Sequence, residues 1–216
     1  MSQSIQTKKG TAAISTEFII SVFLFALSSA ITPGPNNVML MSSGVNYGVR
    51  RSLPLVMGVI IGFPAMFLAI GLGLGTVFQR FPVIHNVITI IGIVYLLYLA
   101  WKIAGSGKPN LADSNAKPLT FIQAALFQWV NPKAWIMAMG AIAAFTTTGA
   151  DINQQVVNIA TIFMTASVPS AWIWLLFGVG LQRLLADDVW RQRFNWLMAG
   201  LLVLSMVPVV LDLVRG

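Results

Sequence analysis

One lysine stands where a charge is costly. Lys133 lies near the middle of the apolar run 120–146, and a lysine at the centre of a bilayer costs roughly 2.5–3.5 kcal/mol on insertion scales, which makes it a functional candidate. It follows Asn131-Pro132 directly. The first apolar run is interrupted by a second motif of the same kind, Thr32-Pro33-Gly34-Pro35-Asn36-Asn37. Proline removes a backbone donor and clashes with the preceding turn, so neither run can be one regular helix. Both motifs suit a restart, with Thr32 or Asn131 as N-cap and Pro33 or Pro132 as first helical residue, where a missing N–H costs nothing. A restarting helix presents free N–H groups and the positive end of its dipole, which suits an anion. Two such starts with an ammonium beside them would hold a carboxylate. The amides of Asn36, Asn37, Gln123 and Gln128 would face the other end of an amino acid, with Ser42, Ser43, Ser167 and Ser170 further out.

Other chemistries lack their groups. There is no cysteine, and His85 is the single histidine, so thiolate and multi-histidine metal sites are excluded and no cofactor is implied. Catalysis would need a nucleophile with its base or a pair of buried acids. Glu17 and Asp212 lie near span ends, and Asp187 and Asp188 lie in a connection. The chain does not read as an enzyme. A proton-coupled step would fall to Glu17, Asp212 or the substrate's own amine.

The elements that must position these residues are apolar. Of the 216 residues 57% are hydrophobic and 9% charged, with a mean hydropathy of +0.81, whereas soluble domains carry about a quarter charged residues. Six runs, 18–42, 54–77, 83–103, 120–146, 154–181 and 195–213, each exceed the roughly 18 residues that mark a spanning helix. The lipid bilayer is therefore a partner. The net charge of +7 reads as a topology signal between spans rather than a nucleic-acid surface. Residues 1–16 are expected to be a polar, disordered leader, and 17–216 a single transmembrane domain. The polar loop 105–117 divides that domain into halves 17–104 and 118–216 with three spans each. An odd number of spans per half places equivalent helices in opposite orientation. The fold class expected is therefore an all-α membrane protein of six transmembrane helices forming two inverted three-helix repeats, with helices 1 and 4 broken at their proline motifs. Paired interruptions at matching positions of two halves mark a transporter's binding site.

Basic residues set the orientation. Arg50, Arg51, Lys102, Lys108, Lys117, Arg183, Arg191 and Arg193 fall in connections one, three and five, against Lys8, Lys9, Arg80 and Arg215 on the other side. Positive-inside bias then puts the odd connections in the cytoplasm and both termini in the periplasm. Gly58, Gly62, Gly71, Gly73 and Gly75 on the second span read as close-packing positions, and would suit a homodimer contact.

The segment Ala30–Asn37 with Ser42-Ser43 and the stretch 44–51, the sequence Trp129–Lys133 (WVNPK) and the sequence Leu99–Ala104 (LAWKIA) resemble the LysE/RhtB family of amino-acid exporters. The run TPGPNN followed by SS is similar to the cysteine and O-acetylserine exporter branch of that family. The resemblance implies efflux of amino acids or their derivatives from a bacterial inner membrane, energised by the proton motive force. It places the substrate-binding candidates at Thr32, Pro33, Gly34, Pro35 and Asn36 and at Asn131, Pro132 and Lys133; the residue reading adds Asn37 and Gln128. The expected activity is secondary-active, alternating-access export of an amino acid against a proton gradient. A non-transporting scaffold subunit and a transporter of another small solute are the alternatives.

Overall fold

The chain in the computed structural model is helical throughout its described residues, 15–74, 80–106, 118–147 and 151–215. Gly75 and the loop 107–117 with Lys108 and Lys117 lie outside them, as do residues 1–14, and the side chains of His85 and Asp212 are not described. Helix α1 (Thr16–Ile31) starts where Ser15 accepts a bond from the Phe18 amide at 3.2 Å. It ends at Thr32, whose N–H and hydroxyl both donate to Ser28 O, at 3.2 and 2.7 Å. The next helix, α2 (Pro35–Ala69), begins at Pro35 with Gly34 as N-cap and no side-chain capping bond. The restart is therefore two residues later than the sequence suggests. Thr32 is spent closing α1, and Pro35 takes the first position that Pro33 was expected to hold.

The stretch 44–51, read from sequence as a connection, is helical on both sides of one residue. Gly48 has φ 71°, ψ −175°, a conformation that only glycine adopts without strain. The Ser43 and Ser52 hydroxyls lie 2.7 Å apart, although nine residues of straight helix would separate them by about 13.5 Å. Gly48 therefore folds α2 back on itself into two arms, 35–47 and 49–69. A π turn, Ile70–Leu74, continues the second arm.

Helix α3 (Pro82–Ala104) opens on a proline. Helix α4 (Phe121–Phe127) begins with a capping box in which Thr120 accepts from the Gln123 amide and Gln123 Oε1 accepts from Thr120 N at 3.0 Å. This binds Gln123 locally and away from the breaks. A 3-10 turn (Gln128–Val130) and an extended Asn131 separate α4 from α5 (Pro132–Phe145). Helices α6 (Ile152–Leu181), α7 (Asp188–Leu204) and α8 (Val207–Arg215) complete the chain. Helix α7 starts before the expected sixth span because Asp187 caps it, accepting from Val189 N at 2.8 Å and Trp190 N at 3.2 Å.

Packing centres on α2 and α6. A Cβ on Gly178 would fall 2.1 Å from Met41 O, and one on Gly44 would fall 2.3 Å from Leu175 O. These two backbones touch because neither carries a side chain there. On the second arm, a Cβ at Gly58 would meet Phe121 O at 2.5 Å and one at Gly62 would meet Ala125 Cα at 2.6 Å. The glycines suggested as a dimer contact are thus spent inside the chain, against α4, and Gly71 abuts Val156. Gly73 has φ 129°, and a Cβ there would meet nothing within 4 Å, so its glycine serves backbone geometry and not a close approach.

Large apolar side chains face outward on helix after helix: Leu24, Ile61, Val94, Ile122, Ile136, Phe177 and Leu204 are all exposed. A soluble monomer rarely exposes so continuous an apolar surface. Three runs, Pro35–Gly73, Val87–Ala104 and Ile152–Leu181, are long and apolar enough to cross a bilayer unaided. Thr16–Ile31, Phe121–Val130 and Pro132–Phe145 are shorter apolar helices.

Candidate functional site

The two breaks meet. Lys133, the second residue of α5, reaches its amine to the backbone carbonyl of Thr32 and lies 3.4 Å from that of Pro33. These are the carbonyls at the C-terminal end of α1, where a cation is favoured by the helix dipole and by unpaired acceptors. The lysine was expected to reinforce helix starts; it also closes a helix end. Gly34 makes the approach feasible, since a Cβ there would lie 2.7 Å from Lys133 Cδ and 3.2 Å from Nζ.

Amide side chains hold the rest of the break. Asn37 Nδ2 donates to Ala30 O at 2.9 Å and to Thr32 O at 2.8 Å, so the first residues of α2 tie off the last carbonyls of α1. Asn36 and Gln128 exchange two bonds, Asn36 Nδ2 to Gln128 Oε1 at 2.9 Å and Gln128 Nε2 to Asn36 Oδ1 at 3.0 Å. Gln128 is fully buried, and a buried amide left unpaired would cost about 1–3 kcal/mol. Trp174 on α6 donates from its indole to Ile31 O at 3.2 Å.

The two helix starts differ in what they offer. At α5, Asn131 Oδ1 accepts from Lys133 N at 3.2 Å, and its backbone carbonyl accepts from Ala134 N at 3.0 Å and Trp135 N at 3.3 Å. Pro132 has no N–H, so that start is satisfied internally and has no free donor, contrary to the sequence expectation. At α2 the glycine cap supplies no side-chain acceptor. Val38 N reaches Gly34 O at 3.0 Å, while the backbone N–H groups of Asn36 and Asn37 have no acceptor among the described residues. One start is closed, and the other is open.

That open start lines a cavity enclosing about 490 Å3, its mouth included. Gly34, Asn36, Asn37, Asn131 and Lys133 form part of its wall. Thr32, Pro33, Pro35, Gln128 and Pro132 do not; they shape or support those that do. Val59 and Phe63 come from the second arm of α2, Met137 from α5, and Ser167, Ser170 and Ala171 from α6. Ser167 bonds back to Phe163 O at 2.8 Å, and Ser29 and Ser170 are the other two hydroxyls of the lining. No carboxylate lines the cavity, and no metal-binding cluster is present among the described residues. Ser29, Phe63 and Met137 carry no sequence signal of their own, since they arrive by folding.

An apolar helical bundle, with an ammonium and open amides around one cavity, has the architecture of a membrane transporter. The chain belongs to the LysE type translocator family, which matches residues 27–215. It is similar to the cysteine/O-acetylserine efflux protein of Klebsiella pneumoniae subsp. pneumoniae, at 31% identity over 91% of this chain and 100% of the relative. It is also similar to the cysteine/O-acetylserine efflux proteins of Salmonella typhimurium, at 30% over 90% of this chain and 98% of that one, and of Escherichia coli K12, at 29% over the same shares. No solved structure matches. Family membership makes the chain a membrane transporter and not an enzyme.

Proposed function

We propose that this protein exports amino acids or amino-acid derivatives from the bacterial cytoplasm across the inner membrane, by alternating access and at the expense of the proton motive force. The carrying observation is the cavity at the joined breaks, where the Asn36 and Asn37 amides and the Lys133 amine surround one space. A carboxylate satisfies all three at once: it supplies the acceptors that α2 lacks and the negative charge that the helix start favours. The hydroxyls of Ser29 and Ser170 accept from the ammonium of the same substrate. Thr32, Pro33, Pro35 and Pro132 hold the backbone open, and Gln128 fixes Asn36. The relatives are named for cysteine and O-acetylserine efflux, and both of these solutes are small zwitterions.

In this reading the six runs of the sequence are six spans in two inverted halves. The α1 break with the first arm of α2 would form the first, and α4 with α5 the fourth. Both termini are periplasmic in this reading, following the basic connections. Protons enter through an exposed acid or the substrate's amine, since the cavity has no carboxylate of its own. A homodimer, if formed, uses lipid-facing surface other than Gly58 and Gly62.

The test is transport by the purified full-length protein in lipid vesicles loaded with radiolabelled O-acetylserine. Efflux dependent on the protein and accelerated by an imposed proton gradient is expected. Movement of none of a panel of neutral amino acids would overturn the reading.

A further inference from the structure

A second cavity lies on the other side of the first α2 arm, and the transport site does not use it. It encloses about 370 Å3, its opening included, and is lined by Met39, Ser42, Ser43 and Tyr47 from that arm, with Lys102 and Ser106 at the end of α3. Leu55, Leu99, Ile103, Pro118 and Leu119 supply its apolar wall.

Its polar groups divide by hydrogen-bond capacity. Lys102 is half-buried, and its amine has no partner among the described residues. Ser42 accepts from Asn46 Nδ2 at 3.3 Å, and its own proton has no acceptor among the described residues. The Tyr47 hydroxyl is likewise unpaired among the described residues, its ring lying under the Arg51 guanidinium at 5.6 Å. These three are donors. Ser106 and Ser43 are the reverse. Ser106 gives its proton to Lys102 O at 2.9 Å. Ser52 gives its proton to Gly48 O at 2.7 Å and so receives that of Ser43. Both retain lone pairs. One cation and two hydroxyl donors lining the same cavity as two hydroxyl acceptors match a carboxylate and an ammonium carried by one small molecule.

The position fits a path. Asn37 lines the first cavity and Ser43 the second, six residues apart on one helix, or about 9 Å along its axis. Between them Met39, Leu40 and Met41 are buried, with Met39 facing the second cavity and Leu40 the first. The backbone contact of Met41 with Gly178 closes the same turn against α6.

We propose that the Lys102 cavity is a second binding station for the zwitterionic amino acid, separated from the Lys133 station by the Met39–Met41 turn. It rests on the export reading for its substrate class. Lys102 and Ser106 adjoin the connection that carries Lys108 and Lys117, so this is the cytoplasmic station, loaded before the central one. Passage between them requires the substrate to move past Met39 and Leu40 of the first α2 arm.

Equilibrium binding of radiolabelled O-acetylserine to the full-length protein in lipid nanodiscs, with efflux kinetics in vesicles, tests this. Two molecules per chain are expected for the unaltered protein, and one each for Lys102→Gln and Lys133→Met. Lys102→Gln is expected to raise the KM for loading from the cytoplasmic face at least fivefold while kcat changes less than twofold. The carboxamide of O-acetylserine should be insensitive to the change, which a merely structural lysine would not produce. Tyr47→Phe, which keeps the ring under Arg51, should raise KM in the same direction and guards against misfolding of the lysine variant. One molecule per chain with normal efflux overturns the second station and leaves the export reading standing. Absence of both binding and efflux in the unaltered protein overturns both together.

Discussion

The amine of Lys133 and the backbone carbonyl of Thr32, 101 residues apart in the chain, are bonded to each other. That bond joins the beginning of one half-helix to the end of another and sets the geometry of the cavity between them. Its strength depends on the cavity's contents, because a carboxylate bound there competes with the carbonyl for the same ammonium. Substrate binding and the hold on α1 are thus coupled through one side chain.

Lys133→Met removes the charge, leaves the Pro33 carbonyl without its donor and leaves Thr32 O with Asn37 Nδ2 alone. Efflux should fall at least tenfold with membrane insertion unchanged, measured as vesicle transport beside the amount of folded protein. Gly34→Ala should act in the same direction without touching the lysine, since the added Cβ would lie 2.7 Å from Lys133 Cδ and displace the side chain. Normal efflux in both variants would sink the role of this contact.

The Asn36–Gln128 amide pair should show strong non-additivity. Asn36→Leu alone leaves a fully buried Gln128 amide short of its partner, at a cost of about 1–3 kcal/mol. Changing both residues to leucine removes the orphan, so the double variant should be closer to the unaltered protein than the sum of singles, with a coupling of about 0.5–3 kcal/mol. Unfolding midpoints in detergent for the four proteins of the cycle measure it. Additive effects would mean that the pair carries no shared energy.

Gly178 and Gly180 are two residues apart on α6 and should respond oppositely to alanine. At Gly178 the methyl would fall 2.1 Å from Met41 O, whereas at Gly180 it meets nothing within 4 Å. Gly178→Ala should destabilise by about 1–3 kcal/mol, the usual range for overpacking, and slow transport by moving the first α2 arm. Gly180→Ala should be neutral or mildly stabilising, as expected where glycine is replaced in a helix. Thermal unfolding of the two purified variants distinguishes them; equal melting points would refute the tight α2–α6 crossing.

Much of this protein is written in local sequence. Long apolar runs determine helices that need a bilayer, because their outward faces cannot be hydrated cheaply. Prolines 33, 35 and 132 determine that two of those runs break, because a backbone without a donor cannot continue the ladder. Asn131 is legible as a cap because its side chain acts on its own helix start.

Tertiary structure decided the rest. Thr32 and Gly34 are both plausible helix caps by type, and only the bonds from Thr32 back to Ser28 O show that it ends α1. Gly48 looks like one more turn residue until the Ser43–Ser52 contact reveals the fold-back. The expectation of two open helix starts failed at α5, where the carbonyl and side chain of Asn131 together satisfy three amides. Whether a donor stays free depends on its final neighbours, which local spacing does not contain. For the same reason Ser29, Phe63 and Ser170 joined Asn36, Asn37 and Lys133 around one cavity only when helices distant in the chain packed together. The sequence by itself determined which residues could bind an amino acid's charges; packing decided which of them face the same space.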